Sequence, residues 1–393
     1  MDSIAPFEYD NAAGRITFGR GVATDLGELV AETGAERALV VCGEHVGANR
    51  ELMDPVESGL GERFAGVFDG TTPEKSARSA VDGVESMELA DADALVAVGG
   101  GSSIDLARAM RAIRADGRPF EELRAHAAET GTLPMPDADL AALVAVPTTF
   151  AGADLSAGGS VTFDEEDEDM SAGFSDSRLL PDALVYDPDL FETTPEDVLR
   201  GSAMNGFDKG LELPYARHAN PLTDATALRG LELLREALPE LPDSEAMDAA
   251  VAGIVLVQYG QGTRGPGLLS VIHAFGHGLR EQGIQQGIAH AVMAPPVLEA
   301  LFSDVDGRRD ALAGALGVEG DGPEATAAAV VGAVAEVRDS MGLPTRLRDL
   351  DGIERDSLPE IASAIRHDAT LDNGPEEFDL SVEEIEDVLD AAW

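Results

Sequence analysis

The chain has 393 residues, a single cysteine (Cys42), and 74 acidic against 27 basic residues, a formal net charge of −47 at pH 7. This length predicts two domains, and one cysteine excludes a disulfide scaffold or a cysteine-based zinc site. The negative field argues against nucleic-acid and anionic-membrane partners, and at 44% hydrophobic residues the chain is too apolar for disorder.

The acid is spread along the sequence, so the surface repels itself unless salt screens it. At about 1 M salt the screening length falls to roughly 3 Å, and a high-salt cytoplasm is the expected setting. MDSIAPFEYD has no apolar core, so no secretory signal is expected. No run reaches the roughly 18 apolar residues of a membrane span. Only Lys75 and Lys209 are lysines; every other basic residue is arginine.

Residues 14–19 and 37–42 read as strands, the second ending at Gly43, with a helix over about 22–34 between them. Phe64 to Phe68 is a short strand, and Thr72-Pro73 predicts a helix start in cap-then-proline order. Ala94 to Val98 is an apolar strand that runs into Gly99, Gly100 and Gly101, after which Ser102 opens a helix through Arg114. Glycines there let backbone approach a ligand that a Cβ would push away, and free N–H groups of the next helix hold phosphate. Leu143 to Pro147 is a further strand, followed by TTFAGADLS. Val161 to Phe163 and Ala183 to Tyr186 complete a sheet-rich half, with the acidic run 164–169 as a solvated hairpin tip. Strands alternating with helices predict a parallel sheet covered on both faces.

From Pro195 the periodicity is helical, near 196–213, 222–237, 245–261, 267–280, 286–302, 307–317, 323–338, 353–366 and 381–391. A boundary at 188–195 divides a nucleotide-binding α/β domain, 1–190, from an all-helical substrate and catalytic domain, 191–393.

Three helical segments carry the chemistry. In NGFDKGLE, Asn205, Lys209 and Glu212 fall at i, i+4 and i+7 and share a face. In VIHAFGHGL, His273 and His277 stack at i, i+4, and QQGIAHAV adds His290. Such histidines are also compatible with a packed core, and an i, i+4 pair with metal binding. A tight metal site wants three or four ligands, and Lys209 would repel a cation. Lys209 itself has a plain alternative, an ion pair within its helix to Asp208 or Glu212.

These segments together resemble the iron-containing alcohol dehydrogenase family over nearly the whole chain. GGGSSIDLARAM resembles the family's pyrophosphate-binding segment with its following aspartate, Asp105, and PTTFAGADLS its nicotinamide-side motif. LPDALVYDPDLFETTP, ANPLTDATALRGLELL, HAFGHGLREQGIQQGIAHAVMAPPVLEA and DNGPEEFDLSVEEIEDVL also follow the family pattern. The resemblance implies an α/β fold: a Rossmann-like parallel sheet domain followed by an all-helical, dehydroquinate synthase-like C-terminal domain. It implies NAD or NADP held by Gly43, Gly99, Gly100, Gly101, Ser102, Asp105, Thr148, Thr149 and Phe150, and a homodimer. Gly43 stands where NAD-preferring members carry an acid for the ribose diol. Glu44 follows it, and Arg50 offers a partner for a 2′-phosphate.

The family binds a divalent metal through an aspartate, a histidine four residues later and two further histidines. The matching positions are Asn205, Lys209, His273 and Gln286, so no tightly bound iron or zinc is expected. Asn205, the TTFAG form and His290 are similar to maleylacetate reductases; Ala153-Asp154, Lys209 and Asp105 depart from them. The expected function is NAD(P)-dependent hydride transfer to or from a small, acid-bearing carbonyl or alcohol without bound metal. Lys209 would supply charge, His273 orient the substrate oxygen and His277 relay the proton, with Asn205 and His290 beside them. The alternatives are a metal-dependent iron-type alcohol dehydrogenase, an NAD-using lyase or cyclase, and a non-catalytic nucleotide-binding protein.

Overall fold

The computed structural model describes residues 7, 9, 11, 13–163, 170–261 and 267–393. The acidic run expected as a hairpin tip lies outside them. The chain divides into two compact units after Thr194. Asn11 goes with the second unit, where its side-chain amide donates to the carbonyl of Tyr259 at 3.0 Å.

The first unit runs β1 (Arg15–Phe18), α1 (Leu26–Glu32), β2 (Ala38–Gly43), α2 (Glu44–Ala48), α3 (Arg50–Leu60), β3 (Phe64–Thr71), α4 (Ala77–Leu89), β4 (Ala94–Gly99) and α5 (Gly101–Asp116). It continues with α6 (Phe120–Thr130), β5 (Ala142–Pro147), β6 (Gly158–Phe163), β7 (Met170–Ser175), β8 (Ala183–Tyr186) and α7 (Pro188–Glu192). Six strands form one sheet in the order β1-β8-β5-β4-β2-β3, every pair parallel. The central strands ALVVC of β2 and ALVAV of β4 are buried throughout, and ALVAV of β5 is buried after Ala142, as a parallel sheet covered on both faces requires. On one face Leu26, Val30, Leu52, Met53 and Val56 of α1 and α3 pack over Val40, Val96, Val98, Val144 and Val185. Each large aliphatic side chain so buried contributes about 1.5–3 kcal/mol. Helix α5 packs on β4, β2 and β5.

Two expectations are corrected here. Val161 to Phe163 does not join the main sheet but pairs antiparallel with β7 in a separate ribbon. Thr72-Pro73 does not open a helix: α4 begins at Ala77, after Lys75 turns the chain with a φ of 56°. The residues between serve the ribbon, since the Lys75 carbonyl accepts the Thr162 N–H at 3.1 Å.

The second unit contains α8 (Glu196–Tyr215), α9 (Pro221–Ala237), α10 (Ser244–Tyr259), α11 (Val271–Arg280), α12 (Gln286–Asp304), α13 (Arg309–Leu316), α14 (Pro323–Ser340), α15 (Leu358–Arg366) and α16 (Val382–Ala391). Its described residues form no strand. Local chemistry sets several ends: Asn220 caps α9 in a capping box ahead of Pro221, and Ser381 with Glu384 does the same for α16. No helix among the described residues is long and apolar enough to cross a membrane.

Candidate active site

In the first unit, β4 delivers the chain to Gly99, whose φ of 124° is a backbone conformation that favours glycine. Gly100 then caps α5 without a side chain, and the first turn holds no acid. The open N–H groups and helix dipole of this 16-residue helix make an anion cradle at Gly99, Gly100, Gly101 and Ser102. Pairing of β5 with β4 continues to Gly99 opposite Pro147, so Thr148 and Thr149 emerge beside the cradle. The Thr148 N–H donates to the Gly99 carbonyl at 3.0 Å. On the other side of β4, β2 ends at Gly43. Strand β3 extends the sheet beyond β2 while β4 lies on its opposite side, so the chain order reverses between β2 and β4. Nucleotides bind at the carboxyl ends of strands at such a reversal.

Three residues expected near the cofactor make contacts within the protein. Asp105 is buried, with Oδ2 2.9 Å from the Lys75 ammonium and Oδ1 3.2 Å from the Arg108 guanidinium. Lys75 also donates to Ser160 at 3.0 Å, so Asp105 anchors the β6–β7 ribbon to α5. Phe150 is fully buried against the ring of Phe191, with centroids 5.4 Å apart. Arg50 bonds Glu57 at 2.8 Å and Asp54 within α3, and so does not stand ready for a 2′-phosphate.

In the second unit, α8 places Asn205, Asp208, Lys209 and Glu212 along a largely buried stretch. Glu212 reaches the start of α11, where Ser270 caps nothing itself. Its carboxylate accepts the backbone N–H groups of Ser270 at 3.3 Å, Ile272 at 2.6 Å and His273 at 3.2 Å. This is why α11 begins at Val271 rather than near 267. Glu212 Oε2 is also hydrogen-bonded to His273 Nδ1. Burial and the nearby Lys209 ammonium hold the His273 imidazole well below its usual pKa, so it is neutral. His273 Nε2 is buried and has no hydrogen-bond partner among the described residues.

His290, on α12, presents Nδ1 2.9 Å from Asp208 Oδ2, though not aligned as a hydrogen bond. Its ring meets His273 edge-on, with centroids 4.4 Å apart. The ring fits only because residue 276 is glycine: a Cβ there would fall 2.2 Å from His290 Nε2. Burial drives the Asp208 carboxyl well above, and the His290 imidazole well below, their ordinary values. His277 follows His273 by one turn and is half-buried, with Nδ1 2.9 Å from Asp368 Oδ2. Burial raises the Asp368 carboxyl, but bonds from His277 and Thr370 outweigh it and leave the group below its usual value. Lys209 is 4% exposed and acts electrostatically on Asp208, His273 and His290.

The structure thus brings Lys209, His273, His290 and His277 into one cluster, with Asn205 one helical turn from Lys209 on α8. Sequence reasoning singled out Glu212 and Asp208 as the acids near these histidines without pairing them to particular rings, and missed Asp368. The two acids of α8 lie a turn apart and were visible as a pair. Asp368, 91 positions from His277, gave no local signal.

Residues 13–188 match the family model for iron-containing alcohol dehydrogenases, and 202–393 match the C-terminal model of the same family. The chain belongs to the iron-containing alcohol dehydrogenase family. Maleylacetate reductase 2 of Cupriavidus pinatubonensis is 30% identical over 312 residues, 78% of this chain and 77% of that protein. Lactaldehyde reductase of Escherichia coli K12 is 27% identical over 391 residues, 96% of this chain and 97% of that protein. The crystal structure of maleylacetate reductase from Agrobacterium tumefaciens shares the fold at a TM-score of 0.78 and 25% identity, over 99% of each chain. As a member of this family the chain is an NAD(P)-dependent oxidoreductase.

The family's name implies a metal. Among the described residues, no group of three or more His, Cys, Asp or Glu side chains is placed to hold one. The motif positions are an amide (Asn205), an ammonium (Lys209), one imidazole (His273) and a second amide (Gln286). A buried ammonium beside the one imidazole opposes a dication. This donor set does not fit a divalent metal ion.

Proposed function

We propose that the protein transfers hydride between a nicotinamide dinucleotide and the carbonyl carbon of a small acid-bearing substrate, with Lys209 in the role of electrophile. In this reading the first unit binds the nucleotide and the second carries the catalytic groups. One observation carries it: a buried ammonium shares a cluster with an imidazole whose Nε2 has no hydrogen-bond partner among the described residues. The dinucleotide, NAD or NADP, would lie on Gly43, Gly99, Gly100, Gly101, Ser102, Thr148 and Thr149 and would give or take the hydride.

Reduction adds hydride to carbon and a proton to oxygen. As negative charge develops on that oxygen, Lys209 stabilises it and then donates the proton. In the oxidation direction His273 Nε2 accepts the hydrogen bond of the substrate hydroxyl and orients it. His277, the most exposed of the three imidazoles and held by Asp368, returns a proton from solvent. Asn205 and His290 shape the wall of the cluster. An α-keto acid suits it, because its carboxylate and keto oxygen lie side by side toward one cation. Resemblance to maleylacetate reductases supports an acid substrate. We extend the proposal to a homodimer working in a high-salt cytoplasm.

Lys209→Met should lower kcat by about 10²–10³-fold, the cost of removing one preorganised donor, with dinucleotide affinity unchanged. The assay is a screen with NADH and NADPH over keto acids, enol lactones and aldehydes in molar salt, with and without chelator. Unchanged turnover in the variant, or loss of activity with chelator, would overturn the reading.

A further inference from the structure

Glu212 touches the reaction only through His273, yet its geometry dictates what that imidazole is able to do. Oε1 accepts the N–H groups of Ile272 and His273, at 2.6 and 3.2 Å. Oε2 accepts the Ser270 N–H at 3.3 Å and faces His273 Nδ1. Burial raises the Glu212 carboxyl, and the three backbone N–H donors oppose that shift by favouring the carboxylate. A carboxylate only accepts, so Nδ1 then carries the hydrogen, and in a neutral imidazole Nε2 is a bare lone pair. His273 is 1% exposed, and none of the described residues bonds its Nε2. The ring does not turn over without breaking the Nδ1 bond.

We infer that Glu212 is a positioning residue that fixes His273 as its Nδ1–H tautomer, making Nε2 an acceptor and leaving Lys209 as the donor to the substrate oxygen. This rests on the proposed hydride transfer for its consequence, though not for the tautomer itself. The other two imidazoles also have an acid beside them: Asp208 lies near Nδ1 of His290 and Asp368 at Nδ1 of His277, both at 2.9 Å. At His273 and His277 the acid is hydrogen-bonded to Nδ1 and leaves Nε2 facing away, whereas Asp208 only lies near Nδ1 of His290 without an aligned bond. At His273 the same carboxylate also caps α11 through three backbone N–H groups. Placement of the helix and choice of tautomer are therefore set by one side chain.

Glu212→Gln is nearly isosteric and separates the two roles. Oε1 remains to accept the Ile272 and His273 N–H groups, while the amide NH2 stands in the place of Oε2 before Nδ1 and the Ser270 N–H gives up its acceptor. That donor forces Nδ1 to accept and moves the hydrogen to Nε2. The full chain, labelled with 15N at histidine and held in molar salt, is observed by long-range 1H–15N correlation, with a His273→Gln sample assigning the signal. The expected wild-type spectrum shows a protonated Nδ1 and an unprotonated Nε2 at His273. In Glu212→Gln these should exchange, and kcat should fall about 10²-fold or more with the KM for dinucleotide unchanged.

A wild-type His273 protonated at Nε2 overturns the inference, as does a folded Glu212→Gln with the wild-type tautomer. The wild-type spectrum decides even if the variant fails to fold. Normal turnover of Lys209→Met together with the expected spectrum would sink the hydride-transfer reading and leave the tautomer assignment standing.

Discussion

At the scale of single residues, the site is organised by burial of titratable groups. His273 and His290 are held neutral in the fold by desolvation, while in the unfolded chain they titrate near the ordinary value of about 6.5. Below that pH the unfolded state binds more protons than the native state. Stability should therefore fall with acidification from about pH 6.5 downward, by up to about 1.4 kcal/mol per pH unit for each histidine. Urea unfolding in molar salt between pH 7.5 and about 5.5 tests this. His290→Asn should flatten the slope, and a wild-type stability independent of pH in that window would refute it. The sequence showed which side chains share a helix face, because i, i+4 spacing is local. It did not show that Glu212 turns to α11 or that Asp368 meets His277, because those contacts join segments about 60 and 91 positions apart.

At the scale of elements, the β6–β7 ribbon is fastened to α5 by a buried ion pair. Lys75, 6% exposed, joins Asp105 and Ser160, and Arg108 takes the other Asp105 oxygen. Lys75→Met leaves a carboxylate half-compensated and should cost about 3 kcal/mol, read as a lower urea midpoint. An unchanged midpoint would show that the pair contributes nothing net. The helices of the second unit were legible because apolar 3.6-residue periodicity survives in a heavily acidic sequence. The main-sheet strands were legible as short apolar runs ending in glycine or proline. Strand β7, MSAGFS, buries only Ala172 and Phe174 and carried too weak an alternation to be read. The apolar VTF of β6 looked like a core strand, and only tertiary pairing assigns it to the ribbon. Asp105 was read as a cofactor residue from its place in the glycine motif. Its carboxylate is held instead by Lys75, which no local pattern connects to it.

At the scale of the whole molecule, a net charge of −47 on 393 residues makes self-repulsion the dominant long-range term. If the high-salt setting holds, the melting temperature should rise by about 10 °C or more between about 0.1 and 2 M KCl, as screening shortens from about 10 Å to under 3 Å. Calorimetry checks this, and a melting point indifferent to salt would end the proposal of a molar-salt habitat.

The two lysines have a chemical consequence. Both are buried, at 6% and 4% exposure, and the remaining cationic side chains are guanidinium groups. Reagents that acylate primary amines thus find no ε-amino group on the exterior. One such group is locked to Asp105 and the other sits among the imidazoles, so inactivation by such a reagent would report its passage into the interior rather than decoration of the surface.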